Sequence, residues 1–172
     1  AAKAYSYKLQ STIITSADTT GAITELITPV GNLSDSGTLL FSAGDPTAVH
    51  SVSAPTSSEG ALGTLTVIKS ADTTGSGTGG VVTWNYSVPA SAVEYLAAGE
   101  SKLETFSFNL LDGNGGSIPQ TVTVTITGAN DEPTVSTTDV TGTVTELNTP
   151  AGSLSDTGTL SFSDVDLADI HS

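Results

Sequence analysis

A chain of 172 residues is long enough to bury one ample core with residues to spare, and its four lysines, absence of arginine and eighteen acidic residues set a net charge of −14. That balance excludes the basic surface which nucleic acid or an anionic membrane would require, and no apolar run is long enough to be inserted across a bilayer. Cysteine is absent, which removes disulfides, thiol catalysis and cysteine-ligated zinc.

Threonine, serine, valine and glycine dominate, a composition for strands and turns rather than helices. In chain order, Ala1 to Leu9 (AAKAYSYKL) alternates like a strand, and Ala22 to Ile27 is a short β-leaning run. Ser34-Asp35-Ser36-Gly37 reads as a turn before a strand at Thr38 to Ser42. Leu62 to Ile68, Val81 to Val88 with the only tryptophan, and Leu103 to Leu111 follow. Thr121 to Thr127 (TVTVTIT) is the cleanest period-two pattern in the chain. Ala90 to Ala98 is the one stretch suited to a short helical turn. Some seven strands with no βα alternation predict an all-β, two-sheet sandwich of immunoglobulin-like size, with Trp84 in its core.

An internal repeat organises this pattern. Gly21 to Ser51 returns as Gly142 to Ser172 at a constant offset of 121 residues, with 18 of 31 positions identical. The chain therefore divides into an N-terminal strand or junction (1–12), a complete sandwich repeat (13–133) closing in an acidic linker (128–133), and the opening part of a second repeat (134–172). About 39 residues of a sandwich cannot bury a core alone. By the repeat offset, Ala1 to Leu9 falls where a last strand belongs, which suggests pairing with another copy by strand addition.

The acidic residues cluster. Asn130 and Asp131 lie in the linker, and Asp164, Asp166 and Asp169 follow a strand at i, i+2 and i+5. Carboxylates so spaced, with no cation among them, repel one another unless they converge on one ion. Calcium takes six to eight oxygens, so several segments must contribute. The first repeat has Ala43, Gly44, Asp45 and Ala48 at the matching loop positions and no acidic linker before it. Loop and linker are thus present together at one joint and lacking together at the other, as a shared site between domains predicts. A solvated turn is the bland alternative. Asp112, in a glycine-rich hairpin (DGNGG), is a further candidate if that hairpin sits at the joint. Glu25 and its copy Glu146 are candidates on early strands, although an edge-strand charge would look the same. Nothing in the sequence supports catalysis: His50 and His171 occupy one repeated position, and no nucleophile–base pair is suggested.

The strings GTLSFSDVDLADIHS, YLAAGES, LLDGNGG and TVTVTITGANDEP resemble the VCBS-type repeat of large bacterial surface proteins of the RTX-adhesin kind, and their order is similar to that of cadherin domains. The resemblance implies a cadherin-like sandwich in tandem, with Ca2+ held by Glu25 or Glu146, Asp164 with Asp166, and Asn130 with Asp131. It also implies type I secretion to the extracellular bacterial surface, and a non-enzymatic extender role in adhesion and biofilm whose partners are the neighbouring repeats. A ligand-binding module for glycan or protein, or a strand-exchanging filament subunit, is the alternative.

Overall fold

A computed structural model describes residues 11–149 and 151–171; Ala1 to Leu9 lies outside them. The strands are β1 (Thr12–Ala17), β2 (Thr20–Thr24), β3 (Asn32–Ala43), β4 (Ser51–Val52), β5 (Thr56–Ser57), β6 (Thr64–Ala71), β7 (Gly80–Pro89), β8 (Ser101–Leu111), β9 (Ser117–Thr127), β10 (Thr134–Thr138) and β11 (Leu160–Ser163). One 3-10 turn, Ala90–Ala92, follows β7. Two sheets face each other in the order β1-β3-β7-β6 and β2-β9-β8-β4, with β5 also on β8. All pairs within them are antiparallel except β2 with β9. The chain is an all-β, immunoglobulin-like sandwich.

Alternation builds the core. Leu39, Phe41, Val82, Trp84, Tyr86 and Val88 point inward from one sheet, and Phe106, Phe108, Leu110, Val122, Val124 and Ile126 from the other. Trp84 is fully buried, and its indole N–H donates to the Asp18 carbonyl at 2.6 Å. That bond fixes the two-residue crossing by which the chain passes from β1 in one sheet to β2 in the other. Gly37 lies opposite Trp84 on β3, and a Cβ there would stand 2.6 Å from the indole carbons. Gly37→Ala is therefore expected to cost about 1–3 kcal/mol through overpacking, read as a lower urea midpoint at unchanged slope.

The expected turn at Ser34 to Gly37 is instead part of β3, which runs unbroken beside β7. Its polar residues stay in the strand because Asp35 reaches across to accept the Ala22 N–H at 2.8 Å while Oδ1 takes the Ser36 N–H, also at 2.8 Å. Strands β1, β4 and β5 carry little hydrophobic signal; ladder pairing alone defines them.

The second repeat copies part of the first, although the counterparts of β2 and of the start of β3 are not strands. β10 pairs β11 as Val135↔Phe162 and Thr138↔Leu160, the counterparts at +121 of Ile14↔Phe41 and Ala17↔Leu39, and the register shift recurs at the same place. Asp156 takes the Thr143 and Thr157 amides as Asp35 takes those of Ala22 and Ser36. Burial differs: Phe41 and Leu39 are each 1 % exposed, whereas Phe162 and Leu160 are 47 % and 55 % exposed.

Candidate metal centre

The distal end of the complete sandwich brings together three segments far apart in sequence. β2 and β9 end side by side at Thr24 and Thr127, and the Glu25 N–H donates to the Thr127 carbonyl at 2.9 Å. The chain then leaves through Gly128, whose N–H donates to the Glu100 carbonyl at 2.9 Å. A side chain at Gly128 would strike the carbonyls of Leu96 and Ala97, so only glycine lets the linker pass under the β7–β8 connection. This close passage places Glu94 of that connection beside Glu25 and Asp131. One carboxylate oxygen from each of the three lies within 4.8 Å of the others.

The second repeat supplies the fourth side. Asp166 Oδ2 accepts the Asp131 N–H at 2.9 Å, and Asp164 Oδ1 accepts the Asp166 N–H at 3.0 Å. Glu25 Oε2 accepts the Ala129 N–H at 3.0 Å. The remaining oxygens are the informative ones. Among the described residues six buried side-chain polar atoms have no hydrogen-bond partner, and five are Glu25 Oε1, Glu94 Oε1, Asp131 Oδ2, Asp164 Oδ2 and Asp166 Oδ1. Buried carboxylate oxygens without a partner are costly; the Glu25, Glu94 and Asp131 carboxylates lie within reach of one ion, and with Asp166 and Asp164 beside them they offer only oxygen donors, which suit a hard divalent cation. No lysine pairs with any of them among the described residues; His171 Nε2 lies 3.4 Å from Asp164 Oδ2. A cleft of about 350 Å³ opens beside Glu94 and Asp131 to solvent.

Electrostatics agree with the geometry. Burial pushes the Glu94 and Asp131 carboxyls above their ordinary range, and Asp166 raises both further. Burial likewise raises Glu25, against the lowering bond from Ala129, and Glu94, Asp131 and Asp166 add to the rise. A carboxyl with a raised folded pKa binds protons more tightly folded than unfolded. Stability of the metal-free chain therefore falls as pH rises from the ordinary carboxylate value through the raised folded one. Thermal unfolding in chelator is expected to show a higher midpoint at mildly acidic pH than at neutrality, and excess cation is expected to abolish that slope.

Other sequence-derived candidates are placed differently. Asp112 is corrected: its hairpin joins the far ends of β8 and β9, about 30 Å along the strands from the linker. Its Oδ1 accepts the Asn114 and Gly116 amides at 2.8 and 2.7 Å, so it closes its own turn. Asn130 is exposed, with its side-chain NH2 donating to the Asp131 carbonyl at 2.8 Å. Asp169 is half-buried, and its N–H donates to the Asp166 carbonyl at 3.4 Å. Glu146 is exposed. Glu94 is the residue that the sequence did not single out. Its copy would lie beyond the repeated segment, so the comparison of repeats that flagged Asp164 and Asp166 does not reach it.

The proximal end is built otherwise. Asp45, the carboxylate retained there, accepts the Thr47 N–H and hydroxyl at 2.8 and 2.7 Å, which lowers its pKa. His50 stands between Thr12 Oγ1, 2.8 Å from Nε2, and Asp72 Oδ1, 2.7 Å from Nδ1. Burial would raise Asp72, but bonds from Lys69 and His50 hold it well below the usual range. This hydroxyl–imidazole–carboxylate line was not evident in the sequence. Its imidazole is 2 % exposed and packs on Phe41 at 4.8 Å, so it ties β1 to the β3–β4 loop and the end of β6.

No family model matches the chain, and neither does any curated protein. Among solved structures, the N-terminal domain of PorA is similar over 71 % of this chain and 100 % of its own, at 13 % identity and a TM-score of 0.43. The fold assignment rests on the strand topology, and that likeness carries nothing about function.

Proposed function

We propose that this chain is a structural extender from a tandem array of sandwich repeats, with Ca2+ locking the joint between one repeat and the next. The observation that carries the reading is the group formed by the Glu25, Glu94 and Asp131 carboxylates, with Asp166 of the second repeat bonded to the Asp131 amide and Asp164 to the Asp166 amide, each of the five keeping a buried oxygen without a hydrogen bond. A cation there would offset their mutual repulsion and bridge all three segments, making the joint stiff. Glu25, Glu94, Asp131, Asp164 and Asp166 would hold it, and its chemistry is charge neutralisation and coordination.

A bacterial cell-surface setting fits the same features. An acidic, cysteine-free sandwich gains stiffness from external calcium without disulfides, and the likeness to VCBS-type adhesin repeats points the same way. Small-angle scattering tests the extender role. Calcium is expected to narrow the distribution of overall dimensions relative to chelator; superimposable profiles would contradict a metal-locked joint.

A further inference from the structure

We infer that Asn114 is a site of spontaneous deamidation, driven by attack of the Gly115 amide nitrogen on the Asn114 side chain.

The β8–β9 hairpin tip is arranged around one carboxylate. Asp112 Oδ1 accepts the amides of Asn114 and Gly116, and the Asp112 N–H donates to the Gly116 carbonyl at 3.1 Å. The Gly115 amide between them has no acceptor among the described residues. Gly115 has φ +99°, and the place a Cβ would occupy is open, with no atom within 4 Å. Asn114 itself is exposed. The attacking nitrogen thus has no hydrogen bond to break, and no side chain obstructs its approach to Cγ.

The chemistry needs only water. The Gly115 nitrogen loses its proton and bonds to Asn114 Cγ; the Cγ–Nδ2 bond breaks, and ammonia leaves with a proton from solvent. The five-membered succinimide is then opened by one water. Cleavage at Cγ restores the backbone with aspartate, whereas cleavage at the main-chain carbonyl routes the chain through Cβ and Cγ as isoaspartate. Either product carries one new carboxylate two positions from Asp112.

The other asparagines lack this arrangement. Asn32, Asn85, Asn109, Asn130 and Asn148 precede Leu33, Tyr86, Leu110, Asp131 and Thr149, each with a side chain that crowds ring closure. Asn32, Asn85 and Asn109 also lie within paired strands. Asp112 precedes a glycine too, but its carboxylate is engaged by two amides and held ionised, which makes it a poor electrophile. The change is felt at the proximal end of the sandwich, because Gly113 packs against the Val49 carbonyl next to His50. An isoaspartate lengthens the turn and disrupts the Asp112 bonds that close it.

The test is incubation of the folded full-length chain at mildly alkaline pH. Peptide mapping by high-resolution mass spectrometry and isoaspartyl methyltransferase labelling then locate the products. Conversion is expected at Asn114 ahead of the other five asparagines, with the label lost in Asn114→Gln and slowed in Gly115→Ala. Thermal midpoints of both variants check that the hairpin end stays folded. Two results would overturn the inference: another asparagine converting first, or an Asn114 amide that persists in the folded chain but is lost in urea.

Discussion

Replacing Glu104 by alanine is expected to destabilise the sandwich by about 4 kcal/mol, among the largest losses available from one side chain. Glu104 is fully buried in β8 and accepts three bonds: Leu62 N–H at 2.6 Å, Gly63 N–H at 3.2 Å and the Tyr86 hydroxyl at 2.8 Å. Burial and the neighbouring carboxylate push the Tyr86 phenol far above its ordinary pKa, so it donates at every working pH. Alanine leaves all three donors without an acceptor, each costing roughly 1–3 kcal/mol, with water able to reach only the half-buried Leu62 and Gly63 amides. Tyr86→Phe removes one donor from the same cluster and is expected to cost about 1 kcal/mol. Urea unfolding of the two variants separates these values. Equal losses would mean that Glu104 acts through the tyrosine alone and that the β5–β6 loop does not depend on it.

Asp131→Asn is expected to change stability with opposite signs according to the metal. In chelator the substitution removes one of the mutually repelling carboxylates, and a gain of roughly 1 kcal/mol would raise the midpoint by about 2–4 °C. The Asp131 N–H still donates to Asp166, so the linker path is kept. With cation at a hundred times its Kd, binding to the wild-type chain adds about 2.7 kcal/mol, a rise of roughly 5–10 °C. Loss of a direct ligand that weakens binding about a hundredfold would erase most of that gain. Paired thermal scans in calcium and in chelator check the reversal. A carboxylate with a purely structural role would shift the midpoint the same way in both.

Much of this was legible in the sequence because two copies of one segment can be compared. The 121-residue offset marked the loop that holds Asp164 and Asp166, and the alternation from Thr121 to Thr127 marked the central strand of its sheet. Glu94 stayed hidden because it sits in an irregular connection with no second copy in the chain. Its place beside Asp131 depends on Gly128 passing under Leu96 and Ala97, a tertiary contact with no local signature. Asp112 was a candidate because glycine-rich acidic turns serve both hairpins and metal sites. Only the direction of β8 and β9 shows which end of the sandwich it occupies. The polar start of β3 looked like a turn for a related reason: ladder pairing and the Asp35 side chain override weak strand propensity there.

Titration calorimetry of the chelator-stripped chain with calcium bears most directly on the joint. Saturable binding is expected at neutral pH, weakened by Glu94→Gln and by Asp131→Asn and left unchanged by Asp112→Asn. No binding, or binding that survives loss of Glu94 and Asp131 but not of Asp112, would contradict a calcium site at the joint.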